Sequence, residues 1–377
     1  MKVTLEAMGI SVYGGCRSYA LPLIRSMAGL FPAVEFEVWV DDSLPELGGI
    51  ENVRQMVLPI RNRFLARLAL QATLPVSALR RRPDLVHYVK GMTVLGVGGK
   101  QVVTIHDLYP LIEPAIFTKS DVLYWRHIQP AVLRRVDGII ADSRRTADDV
   151  VAAYRVKTEK IDVVHLGVDA GFRPRSTQEI APTLARRQIG PRYVLHVGAV
   201  SAKKNLVSLV RAFAILKGNG YPGQLVLVGP DYQKLERVPL AQVAEQAGIT
   251  DSVRIVGAVS DDDLKDIMAG AELFAFPSKY EGFGIAVVEA MACGVPIIAA
   301  RAGAVVEVVG DAAPIIDDGA DFADLAFQMG LLLADEVRRQ KVASACLRRA
   351  SLFTWERVAH GTMAVYEKRL GASSAAH

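Results

Sequence analysis

The chain has 377 residues, a formal net charge of +4, 51% hydrophobic residues and 22% charged ones. That balance excludes a disordered or fibrous chain, and the length exceeds what one ordinary core fills, so two globular domains are expected. Three cysteines without metal-like spacing point to reduced thiols rather than a disulfide or zinc framework, and so small a net charge argues against a nucleic-acid partner.

Residues 1–10 read as a strand that ends in Gly9 and passes through Gly14-Gly15 into an apolar, helix-like run over 20–29. Strand, glycine turn and helix open a doubly wound α/β fold, with backbone amides able to approach an anion. The spacing of a dinucleotide fingerprint is missing, so a simple tight turn competes with that reading. No secretory leader precedes the strand and no run reaches the roughly 18 apolar residues of a membrane span, so a cytoplasmic location is expected. Residues 35–40 form a second strand. From 52 to 83 there are seven arginines and no acidic residue, with Phe64, Leu65, Leu68, Leu70 and Leu74 between them. Arg61, Arg63, Arg67, Arg80, Arg81 and Arg82 are therefore a candidate patch for an anionic membrane surface or an acceptor, against the alternative of a solvated helix face.

Two short apolar runs end in polar groups, the first at His87 and the second at His106-Asp107. In a parallel sheet such groups emerge at the carboxyl edge where ligands bind, and His106 is the better placed because it follows a wholly apolar strand. Asp107 could contact a ligand or shape the loop, and His87 could be a packed core histidine. A strand over 136–141 leads to Asp142-Ser143, read as a helix N-cap. Residues 171–191 lose clean periodicity and read as a linker. Alternation then resumes, with strands at 193–197, 224–229, 253–257, 272–276, 295–299 and 313–316. The expected fold class is thus α/β, two Rossmann-like doubly wound parallel-sheet domains facing a central cleft, with domains at 1–170 and 192–352 and a final segment at 353–377.

Two loops carry chemistry. Gly198 to Asn205 brings Lys203 and Lys204 beside the free amides of a helix start, a setting suited to a diphosphate. The second stretch, 277–298, places Glu281 before a short apolar helix and Glu289 within it. A carboxylate that accepts two hydrogen bonds from a vicinal diol gains about 1.5–3 kcal/mol per bond, enough to anchor a ribose, and the amides near Gly284 and Ile285 favour phosphate or a developing oxyanion.

The order Pro277-Ser-x-x-Glu281-Gly-Phe-Gly284 through Glu289 to Gly294-Val-Pro resembles the E-x7-E signature of glycosyltransferase family 4, retaining GT-B enzymes, and is most similar to its mannosyltransferase-like branch. The loop with Lys203-Lys204-Asn205, the segment Thr104-Ile-His106-Asp107 and the end around Phe353-Thr-Trp355 extend the resemblance over nearly the whole chain. It implies that Glu289 binds the nucleotide ribose, while Glu281 and the amides of Gly282, Phe283, Gly284 and Ile285 hold the transferred sugar. It further implies that Lys204, with Lys203, neutralises the leaving diphosphate, that Gly14 and Gly15 approach it from the first domain, and that His106 contacts the donor sugar when the two domains close. The helix from about residue 355 is expected to return to the first domain. The implied reaction is retaining hexosyl transfer without cofactor or catalytic metal, first of all of mannose from GDP-mannose, to a glycan or lipid-linked saccharide in surface polysaccharide assembly. The enzyme would then be peripheral at the inner face of the plasma membrane. The sequence departs from many members at Lys203, Ala199 and Cys16-Arg17. Two other readings stay open: an inactive nucleotide-sugar-binding or scaffold subunit, and a GT-B-type sugar-nucleotide epimerase or phosphorylase.

Overall fold

The computed structural model describes residues 1–10, 15–60, 62–94, 96–230 and 240–371. The chain divides into two compact units, Met1–Gly167 together with Thr354–His377, and Val168–Phe353. In the first, the strands are β1 (Lys2–Glu6), β2 (Glu35–Val40), β3 (Val53–Val57), β4 (Leu85–Tyr88), β5 (Lys100–Ile105), β6 (Gly138–Ala141) and β7 (Ile161–Val163). They form one parallel sheet in the order β3-β2-β1-β4-β5-β6-β7. The central strands are short and apolar with no alternation, because helices cover both faces; every residue of β4 and β6 is buried.

The second unit repeats the plan with β8 (Tyr193–Val197), β9 (Gln224–Val228), β10 (Val253–Gly257), β11 (Leu273–Phe276), β12 (Ile297–Ala300) and β13 (Ile315–Ile316), ordered β10-β9-β8-β11-β12-β13 and parallel throughout. On one face Leu206, Leu209, Phe213 and Leu216, all from the helix Leu206–Gly218, share a core with Leu325, Met329 and Leu332 of the helix Phe322–Ala334. In both sheets the strand order reverses beside the first strand, between β1 and β4 and between β8 and β11. Crevices open at such points, outside the carboxyl ends of the strands.

Residues 171–191 are not a linker. The Ser176 hydroxyl accepts a hydrogen bond from the Glu179 amide and the Glu179 carboxylate accepts one from the Ser176 amide, a capping box that starts the helix Thr177–Arg187. Arg186 and Arg187 then pair with Asp263, which fixes this helix to the second unit. Pro182 and the dense polar residues hid its period. At the other end, the helix Trp355–Leu370 belongs to the first unit, where Tyr366 Oη lies 2.6 Å from His87 Nδ1 and Arg369 pairs with Asp162.

Candidate active site

The site of the second unit is assembled by topology. β8 ends at Val197 and residues 198–205 cross its carboxyl end; β11 ends at Phe276 and residues 277–284 cross its own. Because β8 and β11 are hydrogen-bonded neighbours, the two loops leave the sheet side by side. Asn205 ties them together. With a left-handed backbone (φ 55°), it donates through Nδ2 to the carbonyls of Pro277 (3.2 Å) and Gly319 (2.5 Å) and accepts from Ser208 Oγ at 2.9 Å. The Lys279 amide donates to the Lys203 carbonyl at 2.9 Å.

The two lysines then meet the first glutamate. Lys204 Nζ donates to Glu281 Oε1 at 2.6 Å and Lys203 Nζ lies 3.8 Å from Oε2. Lys204 also sits 4.8 Å from the centroid of Phe276, and Lys203 5.6 Å from that of Tyr280, so aromatic faces complete their surroundings. Burial pushes the Glu281 carboxyl up, but the ammonium groups of Lys204 and Lys203 outweigh it and hold the group below its ordinary range. Two ammonium groups against one carboxylate leave one net positive charge in a largely buried setting. Beneath them His196 is buried, with Nδ1 2.9 Å from the Ala275 carbonyl; burial and then Lys204 push it down to about 4, so it is neutral at physiological pH. The Glu281 backbone is pinned as well. Ala304 donates to its carbonyl at 3.0 Å, and a Cβ on Gly303 (φ +58°) would lie 2.2 Å from that same oxygen.

Gly284, left-handed at φ 92°, turns the chain into the helix Ile285–Ala292, whose first amides have no acceptor within the helix. Gly282 and Gly284 are buried, and Phe283 packs edge-on against Phe353 at 5.7 Å. Further along this helix, Glu289 is half-buried and its carboxylate accepts no hydrogen bond among the described residues. Burial pushes this carboxyl up to about 7, with Asp261 and Asp169 adding to the rise and Lys265 opposing it. Lys265 is itself 3.3 Å from Asp169. Glu289 is therefore a carboxylate in need of donors.

In the first unit His106 follows β5. Its Nδ1 is 2.6 Å from Asp142 Oδ2, its Nε2 is 2.9 Å from the Val89 carbonyl, and Tyr19 packs edge-on at 4.8 Å. Asp107 accepts from the Tyr109 amide at 3.0 Å and so shapes the turn after β5. His87 is fully buried between Tyr366 and Thr104, pushed down to about 3 by burial first and His106 second, and belongs to the core. Gly15 begins the helix Gly15–Leu30, while Gly14 and Arg61 lie outside the described residues, as does the side chain of Arg63. The arginine patch divides. Arg67, near the start of the helix Arg63–Arg81, lies 3.9 Å from Asp121, whereas Arg80, Arg81 and Arg82 lie at its far end, just before β4 and so at the opposite sheet edge from His106.

Two family models match the chain, Glycosyltransferase Family 4 over residues 13–172 and Glycosyl transferases group 1 over residues 185–347. The MMP alpha-(1->4)-mannosyltransferase of Mycolicibacterium hassiacum is 31% identical over 75% of this chain and 69% of its own length. The chain belongs to glycosyltransferase family 4. The O-antigen chain mannosyltransferase B of Escherichia coli is 27% identical over 94% of this chain and 96% of its own. Among solved structures, Anabaena Alr3699/HepE in complex with UDP and glucose superposes with a TM-score of 0.77 at 21% identity, covering 98% of this chain and all of that one. WaaG, a glycosyltransferase involved in lipopolysaccharide biosynthesis, gives 0.70 at 16%, with full cover of both. The fold is GT-B, and the enzyme is a hexosyltransferase.

Within this glycosyltransferase, Lys203, Lys204, Glu281 and the loop 282–285 come together as one cluster, and Glu289 lies along the helix that the loop begins. Two participants went unread in the sequence. Asn205 stands directly after the lysine pair, where its left-handed backbone and side-chain amide are both needed. Asp142, read together with Ser143 as a helix N-cap, is the partner of His106; Ser143 is the N-cap of the helix Arg144–Tyr154 and accepts from the Thr146 amide. No pattern in the sequence pairs residues 106 and 142; the sheet does, since Ile105 and Ala141 are register partners.

Proposed function

We propose that this enzyme transfers mannose from GDP-mannose, with retention of configuration, to a glycan or lipid-linked saccharide in surface polysaccharide assembly. The observation that carries the reading is the cluster of Lys203, Lys204 and Glu281 beside the amides of the loop 282–285. It offers fixed positive charge for a diphosphate and a buried carboxylate for sugar hydroxyls, with little reorganisation needed at the moment of reaction. Glu289, without donors among the described residues, suits the two hydroxyls of a ribose. In the reaction the bond from the anomeric carbon to the phosphate oxygen breaks, the acceptor oxygen bonds that carbon on the same face, and the acceptor proton passes to the departing phosphate. No cofactor or metal is required, because the lysines meet the charge on the leaving group. The donor assignment is supported by the two mannosyltransferases among the relatives.

Incubation with a panel of nucleotide sugars, scored for nucleoside diphosphate and glycosylated product, tests this. Turnover with GDP-mannose above all others is expected. Turnover with another donor overturns the donor, a product without acceptor indicates an epimerase or phosphorylase, and binding without turnover indicates a scaffold subunit.

We further propose attachment to an anionic bilayer through the helix Arg63–Arg81. Its inner face, Ala66, Leu70, Leu74 and Ala78, is buried in the core, yet Leu65, Leu68, Val76 and Leu79 form a second, outer stripe, exposed by 54%, 53%, 49% and 75%. Apolar side chains with arginines at both helix ends and no carboxylate from residue 52 to 83 suit a negatively charged lipid surface, although Arg81 also lies 3.0 Å from Glu37. No helix among the described residues is long and apolar enough to cross a membrane. The protein should sediment with phosphatidylglycerol vesicles and lose this on exchanging Arg80, Arg81 and Arg82 for glutamate; undiminished sedimentation of that variant would refute the attachment.

A further inference from the structure

His106 and Asp142 stand at matching positions on adjacent strands, each the first residue beyond the register pair Ile105 and Ala141. Asp142 is 2% exposed, and its second oxygen, Oδ1, is buried with no hydrogen-bond partner among the described residues. The Val89 carbonyl can only accept, so the His106 Nε2 that lies 2.9 Å from it carries a proton. The remaining proton is shared between His106 Nδ1 and Asp142 Oδ2 at 2.6 Å. Imidazole is a stronger base than a carboxylate, and the proton resides on the ring. Among the described residues, ionisable groups beside this ring include Tyr19, whose hydroxyl is engaged with Thr104 Oγ1 at 3.0 Å, and His87, which is neutral, and Asp107 adjoins it in sequence.

We infer that Asp142 is a positioning residue for glycosyl transfer: it holds His106 as a doubly protonated ring in one orientation, with its Nε2–H parked on the Val89 carbonyl. A sugar or phosphate oxygen that displaces this carbonyl meets a donor already charged and aimed. The inference deepens the reading of His106 as a donor-sugar contact and rests on it for its role in turnover, although the state of the ring can be tested without it.

The ring state is read by nitrogen NMR of the intact protein labelled at histidine. At neutral pH the two His106 nitrogens, assigned with His106→Gln, should both show bound protons. A neutral His106 in the wild type would overturn the inference whatever the activity. In Asp142→Asn, whose side-chain NH2 can donate to a deprotonated Nδ1, the Nδ1 proton should be lost and the Nε2 proton kept. Turnover should then fall by about 10- to 100-fold in kcat, the scale seen when a metal-bound histidine loses its outer-shell partner, with donor KM changed by less than about threefold. Asp142→Glu, which keeps the charge, should recover part of the loss. Wild-type kinetics in a folded Asp142→Asn protein would reject the positioning role. If the ring is charged but His106→Gln turns over normally, the reading of His106 as a donor contact fails and the charged pair stands.

Discussion

Glu281 and Glu289 lie in one short stretch of one domain, and their carboxyl groups are held in opposite electrostatic settings. The first is buried against Lys204 and Lys203 and stays ionised. The second has burial and two aspartates working against its charge, with the cation that opposes them, Lys265, paired with Asp169. Burial alone therefore says little about a carboxylate's task. Glu281 is preorganised, with its charge balanced before any ligand arrives. Glu289 lacks that balance and is improved by whatever donates hydrogen bonds to it.

The comparison breaks most readily at Glu281. Its replacement, Glu281→Gln, leaves two mostly buried ammonium groups facing a neutral amide. Removing one member of a buried pair costs about 3 kcal/mol or more, so the variant should melt well below the wild type at neutral pH. The sign with pH follows from the lowered carboxyl. Its stabilisation is present above the ordinary value of 4.5 and is lost as pH falls through the folded value, so the gap between variant and wild type should close in acid. Loss of a charge-assisted bond to the sugar, together with displaced lysines, should lower kcat/KM by about 100-fold. Equal melting temperatures at neutral pH would show that the lysines do not depend on Glu281, and the contrast with Glu289 would fall.

The two carboxylates also mark what a linear reading reaches. The alternation of apolar runs with helical stretches was legible because parallel strands buried on both faces lose their alternation, and β8, β9, β11 and β12 all do so. The cluster of Lys203, Lys204 and Glu281 was legible because each loop directly follows one of those strands. What stayed hidden depends on pairing between distant segments. Asp142 meets His106 only through the register of β5 and β6, and Asn205 reaches Pro277 and Gly319 only because their loops adjoin. The helix Thr177–Arg187 is hidden in the sequence because Pro182 and its polar residues mask its period, while one capping box and two ion pairs with Asp263 make it stable. Leu70 and Leu74 were grouped with Leu65 and Leu68, but at helical spacing the two pairs face opposite ways, into the core and away from it.

At Glu289 a smaller effect of opposite sign is expected. Its carboxyl, near 7 in the folded enzyme against an ordinary 4.5, makes the folded state bind the proton more tightly than the unfolded one. Between those values stability falls as pH rises, and above about 7 the whole penalty is present. Glu289→Gln removes a charge that the ligand-free protein does not favour. It should raise stability above that pH by on the order of 1–2 kcal/mol, a figure kept below the full ~1.4 kcal/mol per unit because the side chain is partly solvated. This corresponds to a few degrees in Tm, and the gain should vanish in mild acid, where wild-type Glu289 is already protonated. The same variant should bind donor about 10-fold or more weakly, since a neutral amide accepts less strongly from ribose hydroxyls. Thermal melts across pH and donor titrations by calorimetry separate the two effects. A variant that loses stability while keeping donor affinity would make Glu289 a structural residue, whereas gain and loss in one protein would mark a carboxylate kept charged for its ligand at the expense of the fold.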